Sequence, residues 1–222
     1  MSPLHYASIG GNLDIAKCLV ENVADVDLDD ASDRSPLHHA AMQDNLDIVK
    51  YLVENDADVN LQDEDGMSPL HYAAMQDNLD IVKYLVENDA DVNLQDEDGM
   101  SPLHYAAMQD NLDIVKYLVE NDADVNLQDE DGMSPLRHAS IDGNLDIVKC
   151  LVENGADIDL DDASNKSPLH YAFINNNLDI VQYLIQRGDN GVVTSYLSSV
   201  YIQSLREGNV QESVSSKKKV IN

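Results

Sequence analysis

Ser68 and His71 stand three residues apart, a hydroxyl and an imidazole base within one short motif. The chemistry such a pair could do is nucleophilic. The serine precedes Pro69, however, and a Ser-Pro step suits a helix start, with serine as the cap and proline in the first turn. No other nucleophile–base arrangement, phosphate loop or zinc spacing occurs in the chain. The acidic run Asp63-Glu64-Asp65-Gly66, repeated at 96–99 and 129–132, offers oxygen ligands of the kind calcium takes. A calcium loop asks for Asp at its first position and Glu at its twelfth. The register that uses Asp63, Asp65 and Gly66 puts Leu61 first and Tyr72 twelfth, so the template fails. Weak calcium association with the acids stays open. Histidine occurs at 5, 38, 39, 71, 104, 138 and 170, and five of these follow Ser-Pro-Leu. Successive motif histidines are expected about 10 Å apart, too far to share a metal. Cys18 and Cys150 are four repeats apart, roughly 40 Å along a stack of packed helices, and cannot bridge. They read as packing residues. No metal and no cofactor is expected, and the chain does not read as an enzyme.

The elements that position these residues follow from a repeat. Ser-Pro-Leu recurs at Ser2, Ser35, Ser68, Ser101, Ser134 and Ser167, always 33 residues on. Residues 68–100 and 101–133 are identical. A fixed period of this length means stacked units that cannot bury their apolar faces alone. Within one unit, Ser68 caps a short helix through HYAAM, which Gln76, Asp77 and Asn78 end. A second helix starts at Leu79. Leu79, Val82 and Val86 share a face, as do Ile81 and Leu85, while Asp80, Lys83 and Glu87 can point outward. The connection that follows is rich in turn formers, with Gly99 at a positive-φ position.

Composition sets further bounds. The chain has 222 residues, 43% of them hydrophobic and 5% aromatic, with no tryptophan and Phe173 as the one phenylalanine. A core must come from Leu, Ile, Val, Ala and Tyr. No run is long and apolar enough for a membrane helix, and no signal peptide is present. Two cysteines fit a reducing compartment. The formal net charge of −29 argues against nucleic acid and anionic membranes and toward a basic partner or simple solubility.

SPLHYAA, NLDIVKYLVEN, ADVN and the DG before the next SPL resemble the ankyrin repeat, at every unit from residue 2 to about 188. The resemblance implies an all-α solenoid of helix-turn-helix units with projecting β-hairpin or turn loops. The expected units are 2–34, 35–67, 68–100, 101–133, 134–166 and 167–188. A capping helix or degenerate seventh repeat is expected over 189–210, and a disordered tail over 211–222. The resemblance gives the motif histidines a structural role, bonding within the motif and to the neighbouring repeat. Arg137 replaces one, so that junction should be weaker or differently wired. The chain opens directly at a first helix without a polar capping unit, which predicts a piece of a longer product or a truncated reading frame.

The family keeps glycine after each helix. Here Asp44, Asp77 and Asp110 follow the first helix and Asp56, Asp89 and Asp122 the second, at an expected cost of up to ~1 kcal/mol per site. Gly143 and Gly155 keep the family pattern. Repeats one and five resemble each other more than the middle, sharing cysteine at 18 and 150 and LDDAS afterwards. Recent duplication of the central unit explains the identity, and repeated contacts to a repeated partner are the alternative.

The family's binding surface comprises the loop tips and first helices. Carried over, it takes in Gln62, Glu64, Asp65, Met67, Tyr72, Met75 and Gln76, then Gln95, Glu97, Asp98, Met100, Tyr105, Met108 and Gln109, then Gln128, Glu130, Asp131 and Met133. Tyr72 and Tyr105 either border the groove or pack between repeats, with His39 and His138 in their place elsewhere. Repeats two to four each carry −7, against −5 for repeat one and −4 for repeat five. The negative field is therefore central, and Lys217, Lys218 and Lys219 form a basic tail. A solvated face and steering of a basic partner both fit this. The resemblance also implies a modification: Leu52/Asn60, Leu85/Asn93 and Leu118/Asn126 match sites of asparagine β-hydroxylation, whereas Asp27 and Asp159 replace the asparagine in repeats one and five.

The expected function is non-catalytic protein binding through an acidic concave groove, by a monomer. One alternative is a structural spacer within a larger protein. The other is an effector of an intracellular symbiont or parasite that recruits host proteins. The expected compartment is the cytoplasm, with the nucleus or non-classical secretion into a host cell as alternatives.

Overall fold

A computed structural model of the chain describes residues 1–188. The cap expected over 189–210 and the tail over 211–222 lie outside the described residues. Six helix pairs follow one another: α1 (Pro3–Ile9) with α2 (Leu13–Glu21), α3 (Pro36–Met42) with α4 (Leu46–Val53), α5 (Pro69–Met75) with α6 (Leu79–Glu87), α7 (Pro102–Met108) with α8 (Leu112–Glu120), α9 (Pro135–Asp142) with α10 (Leu145–Glu153), and α11 (Pro168–Ile174) with α12 (Leu178–Arg187). First helices pack on first helices and second on second, so the chain is a solenoid. The loops between pairs are built from turns, with no β-strand among the described residues.

The core repeats with the sequence. Leu37, Leu70, Leu103 and Leu136 from the first helices are fully buried, as are Ile81, Val82 and Leu85 of α6 and their counterparts in α8 and α10. Leu79 and Val86 are half-buried at the edge of this stripe. Lys83 differs from its expected outward position. It is half-buried, and its Nζ lies 5.9 Å from the Tyr117 ring centroid one repeat on. Lys17 over Tyr51 and Lys50 over Tyr84 repeat the contact. Such ladders are the stack's answer to exposing aromatic rings on second helices.

The ends of the first helices leave carbonyls without helical partners. The next repeat supplies the donor. Asn45 Nδ2 donates to the Ser8 carbonyl at 2.6 Å, Asn78 to Ala41 at 2.9 Å, Asn111 to Ala74 at 3.0 Å and Asn177 to Ser140 at 2.9 Å. Asp44, Asp77 and Asp110 adopt φ of 57–60° and Asp56, Asp89 and Asp122 φ of 65–67°, the left-handed turn expected for them. Repeat one is stranger. Val23 holds the position after its second helix at φ 68° and is 91% exposed. A β-branched side chain there is strained and packs on nothing.

Val23→Gly should therefore raise the unfolding free energy by about 1 kcal/mol, and Asp77→Gly by up to about 1 kcal/mol. Urea denaturation at fixed pH reads both as shifts in midpoint without a change in slope.

Candidate functional site

Each loop tip is organised by one buried aspartate. Asp63 Oδ1 accepts the backbone N–H of Asp65 at 3.1 Å and of Met67 at 2.9 Å, while Gly66 N–H donates to the Asp63 carbonyl at 2.9 Å. Asp63 Oδ2 accepts the Tyr72 hydroxyl at 2.6 Å. A single carboxylate thus closes the turn and pins it to the next first helix. Asp96 does the same with Tyr105, and Asp162 with Tyr171. At two junctions histidine replaces tyrosine: His39 Nε2 lies 2.9 Å from Asp30, and His138 Nε2 lies 3.1 Å from Asp129. Burial alone would raise the Asp30 carboxyl. Donors from Ser32, His39 and Arg34 outweigh it and hold the group well below the usual carboxylate range. Burial and the facing carboxylate push Tyr72 and Tyr105 well above the usual phenol range, and Tyr171 to about 12.

The Ser–His pair is a helix cap. Ser68 is 1% exposed, and its backbone N–H donates to His71 Nδ1 at 3.0 Å, so that nitrogen carries no proton. His71 Nε2–H donates to the Met100 carbonyl at 3.1 Å, at the far end of its own repeat. Histidine here fills the place glutamate takes in a common capping box. His38 and His104 are wired alike, to Met67 and Met133. Burial lowers the basicity of His38, His71, His104 and His170, with His104 brought down to about 4. Arg137 is differently wired, as its sequence position suggested. It is fully buried and donates to the Gly132 and Leu160 carbonyls, and Ser134 Oγ is left without a partner.

The tips themselves touch. Glu97 N–H donates to the Asp65 carbonyl at 3.0 Å and Glu130 N–H to Asp98 at 2.9 Å. Gln62 Nε2 bridges its own Gly66 carbonyl and that of Gln95 at 2.9 Å, and Gln95 reaches Gln128 at 3.1 Å. Gly66 has φ 77°, and a Cβ on it would lie 2.6 Å from Glu97 N, so glycine eases this close approach, although the first loop makes the equivalent bond, Glu64 N–H to the Ser32 carbonyl at 3.1 Å, with Asp33 in that place.

This geometry sorts the carried-over surface residues. Glu64, Asp65, Glu97, Asp98, Glu130 and Asp131 are exposed, as are Gln76, Met108 and Gln109, while Met75 is half-buried. Gln62 and Gln95 are exposed and Gln128 half-buried, with their amides in the ladder. Tyr72 and Tyr105 are half-buried between repeats. Met67 and Met100 are buried at 7–8% exposure and Met133 is half-buried, which narrows the candidate surface. Asn60 is half-buried. Its Oδ1 accepts Asp91 N–H at 2.8 Å, and its Nδ2 donates to the Asp89 carbonyl at 3.1 Å. Asn93 and Asn126 repeat this.

The sequence reading missed the buried aspartates. Their signal was present: Asp30, Asp63, Asp96, Asp129 and Asp162 recur without change, and the position nine residues on carries only Tyr or His, both donors. Among the described residues no helix is long and apolar enough to cross a membrane. A family model described as ankyrin repeats matches in three copies, over residues 1–63, 55–129 and 121–194. No curated protein matches the chain.

The caps predict a pH dependence. The unfolded chain binds protons on histidine near pH 6.5, whereas the folded caps take them only at lower pH. The unfolded state then holds more protons, and stability falls as pH drops from 6.5 toward 4. His104 alone contributes on the order of 3 kcal/mol. The low carboxyls of Asp30 and Asp162 extend the loss below their ordinary pH range. Urea midpoints at neutral, mildly acidic and acetate pH should decline monotonically.

Proposed function

From the premise that this chain belongs to the ankyrin-repeat family, whose stacks generally serve as protein-interaction modules and are typically non-catalytic, we propose that it is a scaffold binding a basic protein through its loop tips and first helices. The observation that carries this reading is the separation of two kinds of acid on each of the three central tips. Asp63, Asp96 and Asp129 spend their carboxylates on the fold. Glu64, Asp65, Glu97, Asp98, Glu130 and Asp131 stay exposed on a backbone ladder that holds them in file. A rigid file of carboxylates in an already negative field favours encounter with a cationic surface and repels phosphate backbones and anionic lipid. Rigidity matters because little ordering entropy is then lost on binding. The cytoplasm is the compartment this reading assumes, and one chain would act as a monomer.

Asn60, Asn93 and Asn126 are a proposed site of β-hydroxylation. Both ends of each amide are engaged, so the modifying enzyme would need the loop to open locally. Intact mass after co-expression with an asparaginyl hydroxylase should show added oxygen, absent from the triple Asn→Ala variant. An unchanged wild-type mass would remove the site.

The binding reading is tested by retention from source-organism lysate at low and high salt, beside a variant with Glu64, Glu97 and Glu130 changed to Gln and Asp65, Asp98 and Asp131 to Asn. A basic protein held by the wild type, and lost both in the variant and at high salt, is expected. Equal retention by both forms, or none, would favour a spacer without a groove ligand.

A further inference from the structure

At the first repeat junction, three donor groups from three segments converge. His5 lies on α1, Asp30 at the base of the first loop and His39 on α3, and all three are buried. Their ligand atoms lie within 4.8 Å of one another. His39 Nε2 and Asp30 Oδ2 are 2.9 Å apart, and the two imidazoles meet edge to face with centroids 5.5 Å apart. We propose that His5, Asp30 and His39 form a site for a divalent transition metal of the zinc class.

The chemistry selects that class. Two imidazoles and one carboxylate suit a borderline ion, whereas calcium and magnesium take oxygen ligands. Ligand atoms around a four-coordinate zinc stand about 3.3 Å apart, so the triad must contract by up to about 1.5 Å at its widest, and water completes the shell. Ligation needs both Nε2 atoms bare. At present His5 Nε2 lies 2.9 Å from the Arg34 carbonyl, to which it donates. Its proton moves to Nδ1, where Ser2 Oγ stands 2.8 Å away to accept it, and the Ser2 backbone N–H turns aside. His39 likewise moves its proton to Nδ1. Asp30 is already a carboxylate, so binding releases no proton.

Arg34 is the group that opposes the ion. Its Nη2 is 3.4 Å from Asp30 Oδ2. Its hold is weak: Nε is buried without a partner and the side chain is 31% exposed, so it can swing outward. The comparison junctions show why this site is distinct. Tyrosine faces the aspartate at Tyr72, Tyr105 and Tyr171, leaving a single imidazole beside the carboxylate. His104, Asp129 and His138 have the same residue types, but the rings are 5.8 Å apart, the His138–Asp129 contact is longer, and His138 is half-buried.

The test is zinc titration of the full chain against a chromophoric chelator, in excess magnesium to occupy exposed acids, for the wild type, His39→Tyr and His138→Tyr. His39→Tyr installs the residue three other junctions carry, so it should keep the fold. His39→Gln, which keeps a donor to Asp30 without an imidazole, provides a second reading. One tight equivalent is expected in the wild type and in His138→Tyr, weakened at least about tenfold in both His39 variants. Cobalt should give a spectrum without a thiolate charge-transfer band. Undiminished binding by the His39 variants, a thiolate band assigning the ion to Cys18 or Cys150, or no saturable binding would overturn the proposal.

Discussion

No repeat in this chain can satisfy its own buried polar groups. The buried aspartate of one unit takes its phenol or imidazole donor from the next, nine residues on. From repeat two onward the asparagine before the second helix reaches back 37 residues, and the loop glutamine of the central repeats reaches forward 33. A buried donor or acceptor without a partner costs about 1–3 kcal/mol, so a single unit would carry several such debts. Stacking discharges them all at once, and only if the spacing holds. This is why the Ser-Pro-Leu motif keeps its period without insertion or deletion. A one-residue slip would orphan every ladder together, whereas apolar contacts alone would tolerate it far better.

The architecture was legible because it rests on local signals that recur. Ser-Pro starts, left-handed aspartates and the apolar stripe each announce themselves within one unit, and the period then dictates stacking. The site was only half legible. The tip acids Glu64 and Asp65 are exposed, yet Met67 beside them is buried, because the turn that Asp63 closes folds its end back toward the next helix. That reversal is set by one carboxylate's hydrogen bonds, and its trace is a recurring aspartate within a run of other acids, not an apolar pattern. The meeting of His5 with His39 was hidden for a similar reason. Equivalent histidines are one unit apart, but His39 is not the equivalent of His5, and its ring reaches back into the previous repeat.

Exceptions to the pattern show what the stack tolerates. Arg137 occupies a histidine's place while fully buried, and it bonds two carbonyls, one in its own repeat's approach and one in the following loop. The bond from the first helix to its own repeat's loop survives through Leu160, but the local cap does not, since Ser134 Oγ loses its partner. Anchoring the loop is thus the stricter demand and helix capping the looser one. His39 and His138 make the same point, because either imidazole or phenol will serve provided a donor faces the aspartate.

The same logic separates framework from surface. In the first and fifth loops the organising aspartate is kept as Asp30 and Asp162, and the left-handed corner is kept by Asp33 and Asn165 in place of Gly66. The two acids between them are not kept. Ala31 and Ser32 stand in the first loop and Ala163 and Ser164 in the fifth. The fold therefore does not require carboxylates at the tips, since its turn forms as well on alanine and serine. Acids at Glu64, Asp65 and their copies are confined to the three central loops, and their side chains do nothing for the stack that smaller residues cannot do. Duplication of one unit accounts for three equal tips. It does not account for the first copy's having carboxylates where a neutral pair folds equally well, and a cationic partner supplies a reason for them.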